Sequence, residues 1–102
     1  MKYLTFLLLK FLLLSNFVIA ETIPTKSKIL KNASYCSKDS QAQVCKELVF
    51  EIEKLQLLVF DQNRFKCQSS LLGMQSAIIE AYFYNSSNKR LSLMIPYVIK
   101  NC

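Results

Sequence analysis

SQAQVCKELVFEIEKLQLLVFDQ, residues 40–62, carries Val44, Leu48, Ile52, Leu55 and Val59 at steps of four, four, three and four. That spacing brings all five to one face of an α-helix, whereas a half-buried strand would alternate apolar and polar residues. Lys46, Glu47, Glu51, Glu53 and Lys54 supply a wet side, with Glu51 and Lys54 one turn apart. Ser40 and Gln43 have the spacing of a capping box at the helix start. Phe50, Leu57 and Phe60 fall outside the stripe and widen the apolar surface, so this helix is expected to be central and contacted on two sides.

Asp61, Gln62, Asn63 and Arg64 interrupt the pattern, and CQSSLLGMQSAIIEAYFYN (67–85) resumes it. Leu71, Met74, Ile78 and Ala81 make a second face, with Leu72, Ile79 and Phe83 beside it and Ser69 or Ser70 as the expected cap. Gly73 is the only glycine in the chain. Inside a helix it costs up to about 1 kcal/mol against alanine, and close approach of the preceding helix's backbone is its expected return. In NSSNKRLSLMIPYVIKNC (85–102), Leu91, Ile95, Val98 and Cys102 again fall at helical spacing. Pro96 removes an amide in their midst. A short kinked helix is expected there, with a strand at residues 91–95 as the competitor. One glycine and two prolines are too few for the tight turns of an all-strand fold.

Toward the amino end, Lys2 precedes an apolar run from Tyr3 to Ala20, followed by Glu21 and Pro24. That is the order of a secretory signal peptide, and Val18 and Ala20 fit the small-residue positions before a cut after Ala20. Lys10 interrupts the run, and a lysine at the centre of a spanning helix costs about 2.5–3.5 kcal/mol. The run would reach about 27 Å, just short of a typical hydrocarbon core. Residues 1–20 are therefore expected to be a signal peptide, with a retained tether as the alternative. Residues 21–35 combine Pro24 with lysines and serines without clear periodicity, the mark of a flexible lead-in, and residues 36–102 are expected to form the folded domain.

About 82 residues would remain after cleavage, enough to bury about 60% of the unfolded surface, and a core of that size usually needs a staple. Cys36, Cys45, Cys67 and Cys102 read as two disulfides. Histidine is absent and no C-x-x-C pair occurs, so neither a zinc site nor a thioredoxin-like centre is expected. Antiparallel packing of the last two helices, through a turn near Ser87, would bring Cys67 to Cys102 and leave Cys36 for Cys45. Two other pairings remain formally allowed. The fold class is thus all-α: a small disulfide-stapled bundle of two long helices and a short kinked third.

Taking Lys2 and Lys10 from the 13 basic residues leaves 11 against 7 acidic ones, a net charge of about +4. Along the sequence these cations look scattered, with Lys26, Lys28 and Lys31 ahead of the domain, Arg64 and Lys66 in one turn, and Lys89 and Arg90 in another. Nucleic acid is not expected as a partner, while an anionic membrane surface stays open. Glu47, Glu51 and Glu53 read as a solvated helix face. With no histidine, no G-x-S-x-G and no spare thiol, nucleophilic catalysis lacks its base and its nucleophile. A non-enzyme without cofactor or metal is expected. Tyr82, Phe83 and Tyr84, joined by Tyr97, form the candidate interaction patch, since tyrosine suits interfaces where one end stays wet. Asn32 and Asn85 open glycosylation-acceptor triplets in expected loops, but two such matches carry no signal alone. Taken together, the residues point to a secreted or periplasmic protein that binds another protein, with a cationic lipid-binding role as the alternative.

Overall fold

A computed structural model describes residues 23–102, and these form four helices with no strand among them: α1 (Lys26–Lys38), α2 (Gln43–Asp61), α3 (Phe65–Phe83) and α4 (Lys89–Asn101). The expected signal peptide and its cleavage site fall outside the described residues. Helix α2 packs on α3, α3 on α4, and α1 closes the ring by packing on both α2 and α4. The result is an up-and-down four-helix bundle.

Helix α1 stands over residues 26–35, where a flexible lead-in (21–35) ahead of a domain at 36–102 was expected; residues 21 and 22 of that lead-in lie outside the described residues. The Thr25 hydroxyl accepts the Lys28 amide at 3.2 Å and starts the helix. Ile29, Ala33 and Cys36 are fully buried at steps of four and three. Two of those three side chains are small, so the stripe is faint in the sequence, and packing against the bundle rather than propensity makes the segment helical.

In α2, Leu48, Ile52, Leu55 and Val59 lie in the core together with Cys45, while Val44 is only half-buried. The capping box does not form. Ala42 is the N-cap and makes no side-chain bond, because residues 39–42 are turned by the Ala42 amide on the Asp39 carbonyl and by the Cys36–Cys45 bridge. Asn63, at φ 58°, and the Arg64 amide on the Val59 carbonyl at 2.8 Å make the tight turn into α3.

Helix α3 begins at Phe65, earlier than a Ser69 or Ser70 cap would allow. Ser70 instead sits inside the helix, donating to the Lys66 carbonyl at 2.9 Å and accepting from Asn101 of α4 at 2.7 Å. Leu71, Met74, Ala77, Ile78 and Ala81 form its buried face. Gly73 faces α4 rather than the backbone of α2: a Cβ there would stand 2.5 Å from the Met94 methyl. Helix α4 runs through Pro96 instead of forming a strand at residues 91–95. Pro96 is exposed, so the carbonyl deprived of a partner in the preceding turn lies where water reaches it.

Both disulfides join antiparallel neighbours, Cys36 to Cys45 across α1 and α2 and Cys67 to Cys102 across α3 and α4. This is the pairing that antiparallel packing of the last two helices implied. The first bridge lies at the end of the bundle where α1 stops and α2 starts, the second at the opposite end.

Candidate functional site

The aromatic patch expected from the sequence is split. Tyr82 is half-buried against the core, its ring edge-on to Phe83 at 4.9 Å, while Phe83 and Tyr84 are exposed. Tyr97 does not join them. It lines a shallow groove with Lys66, Ser69, Ser70, Met94 and Asn101, at the start of α3 and about 20 Å along that helix from Phe83. Antiparallel packing of α3 and α4 dictates the separation, and the bridge between Cys67 and Cys102 was the sequence signal that could have shown it.

Asn85 is exposed in the loop before α4, at φ 53°, and its side chain accepts from Gln41 at 3.3 Å. Asn32 lies within α1, half-buried, rather than in a loop. Among the acids, Glu51 is half-buried and paired with Lys28 of α1 at 3.8 Å, whereas Glu47 and Glu53 are exposed. Among the described residues, no cluster of three or more histidine, cysteine or acidic side chains is placed to hold a metal.

Two larger surfaces emerge that the linear text does not single out. The first lies on the α2/α3 side. Phe50, Leu57, Phe60, Phe65 and Leu72, expected in part to be covered, are between 51 and 65% exposed. Gln75 fixes the register by bonding both to Gln56 and to the Val49 carbonyl, at 2.9 Å each. In that antiparallel register Leu57 stands level with Leu72 and Phe50 level with the half-buried Ile79. Phe60 meets Phe65 edge-on at 6.0 Å across the turn. These three apolar rungs recur every seven residues along α3, at Phe65, Leu72 and Ile79.

The second surface lies on the opposite side of the ring, where α1 and α4 adjoin. The Lys26 ammonium donates to the Ile99 carbonyl at 3.4 Å, and the Asn88 amide to the Ser37 carbonyl, so the two helices run antiparallel. Together they carry Lys26, Lys28, Lys31, Lys38, Lys89, Arg90 and Lys100 and no acidic residue. Helices α2 and α3 carry Glu47, Glu51, Glu53, Asp61 and Glu80 against Lys46, Lys54 and Lys66. The scatter of cations along the chain therefore becomes segregation in the fold, because the first and last helices are neighbours.

Compared with protein-family models, curated proteins and solved structures, the chain matches none. The disulfides mark an oxidising, non-cytoplasmic environment. No described helix is long and apolar enough to cross a membrane.

Proposed function

We propose that this is a small exported, non-enzymatic protein that acts by binding another protein through its α2/α3 side. The observation that carries the reading is the exposed ladder of Phe50, Leu57, Phe60, Phe65 and Leu72. These side chains expose on the order of 600 Å², at the upper end of the largest apolar patch of a typical monomer. The seven-residue recurrence of the rungs along α3 is the period of a helical seam, which favours a helix as the element that covers them. Charge supports the same side: α2 and α3 are mildly acidic, so a partner approaches there without meeting the cationic helices.

The test compares the exported wild-type chain with the double variant Leu57→Lys/Leu72→Lys by gel filtration of the extracellular or periplasmic extract. Wild type is expected in an assembly larger than the chain, and the variant as free chain with unchanged helicity. A wild type that elutes as free chain, both in the extract and when purified and concentrated, refutes the proposal.

A further inference from the structure

We infer that the α1/α4 side is a docking surface for an anionic lipid bilayer. Lys28 and Arg90 at its margins are engaged by Glu51 at 3.8 Å and Glu80 at 2.5 Å. Lys31, Lys38, Lys89 and Lys100 are exposed and have no acidic partner among the described residues. In the antiparallel register Lys38 lies near Lys89 at one end of the pair, Lys31 near its middle, and Lys100 at the other end. Four free cations thus span the length of the surface.

Charge alone would suit any polyanion. The apolar residues set among the lysines select a bilayer. On the outer side of α4, Lys89, Leu93, Tyr97 and Lys100 follow one another at steps of four, four and three, so a cation closes each end of an apolar middle. Leu93 is 59% and Tyr97 56% exposed, with Tyr97 at the edge of the surface toward α3, where it lines the groove beside Lys66 and Ser69. On α1, Tyr35 is likewise exposed between Lys31 and Lys38, at the edge of the surface toward α2, where it lines a groove with Ala42 and Val44. A helix lying in the membrane interface places apolar and aromatic side chains among the acyl chains while lysines extend to the phosphates. Nucleic acid or an acidic protein surface has less use for Leu93. With α1 and α4 against lipid, the α2/α3 ladder on the far side of the ring faces away from the membrane and stays accessible. The lipid surface stands independently of the proposed protein partner.

The experiment is co-sedimentation of the exported, disulfide-bonded chain with vesicles of phosphatidylcholine alone and of phosphatidylcholine mixed equally with phosphatidylglycerol. Binding is expected only to the mixed vesicles and is expected to vanish at high salt. Each lysine near an anionic surface is worth roughly a fivefold change in binding. Lys31→Gln/Lys100→Gln is therefore expected to weaken binding about 25-fold. Leu93→Ser/Tyr97→Ser is expected to weaken vesicle binding severalfold while leaving retention on a heparin column unchanged. All four positions are exposed, and circular dichroism verifies that the variants stay folded. Equal sedimentation with both vesicle types, or none with either, overturns the inference. So does a Leu93→Ser/Tyr97→Ser chain that binds mixed vesicles as wild type does, which would assign the cations to an acidic macromolecule instead.

Discussion

Gln75 on α3 accepts a hydrogen bond from the Gln56 side chain on α2 and donates its own amide to the Val49 carbonyl, each at 2.9 Å. The pair is part-buried, so it acts as a polar register pin within an otherwise apolar contact. Gln75→Ala removes both bonds and leaves Gln56 short of a partner, a loss of about 1–2 kcal/mol. Urea unfolding of Gln75→Ala, Gln56→Ala and the double variant tests this. A coupling of about 0.5–1.5 kcal/mol is expected, and additivity would mean the Gln56–Gln75 bond contributes nothing.

The two apolar surfaces of α2 and α3 should respond differently to truncation. Ile52→Ala and Ile78→Ala empty fully buried sites and are expected to cost about 2–5 kcal/mol each. Leu57→Ala and Leu72→Ala remove exposed side chains and should stay within about 0.5 kcal/mol of wild type in the isolated chain. Thermal unfolding of the four variants separates the core from the ladder.

The bridges close loops of different length, 9 and 35 residues of separation. On the chain-entropy account, replacing Cys67 and Cys102 by alanine costs about 3.5–4 kcal/mol, and replacing Cys36 and Cys45 about 2.5–3 kcal/mol. Denaturant midpoints in the reverse order would mean that helix packing, not loop entropy, dominates.

Gly73 tests the α3/α4 contact. A Cβ at this position meets only the terminal methyl and sulfur of Met94, the movable end of a flexible side chain. Gly73→Ala is therefore expected to lie within about 1 kcal/mol of wild type, the gain in helix propensity offsetting the displaced methyl. Gly73→Leu exceeds what Met94 can yield and should destabilise by about 1–3 kcal/mol.

The all-helical architecture was legible because Leu48, Ile52, Leu55 and Val59, and then Leu71, Met74 and Ile78, bury large side chains at an unambiguous period. Helix α1 was not, because Ala33 and Cys36 contribute little apolar bulk between lysines. The outward apolar face of α2 was misjudged for a different reason. Phe50, Leu57 and Phe60 look the same in sequence whether a second helix covers them or nothing does. The cationic side was hidden by distance, since Lys38 and Lys89 become neighbours in surface only when the ring of helices closes.

The two disulfides divide the covalent structure unevenly. Cys36–Cys45 makes a closed loop at the α1–α2 junction, and Cys67–Cys102 ties the far end of the α3–α4 pair, so the backbone from residue 67 to 102 is a continuous ring. A protease that cuts at the exposed residues Asn85 to Ser87 opens the ring without releasing a fragment, and the product migrates intact until it is reduced. A cut at the exposed residues 62–64 lies outside both rings and leaves two hairpins with no covalent link, held only by the packing of α2 on α3 and of α1 on α4. The turn at Asn63 is thus the single tether between two separately cross-linked halves.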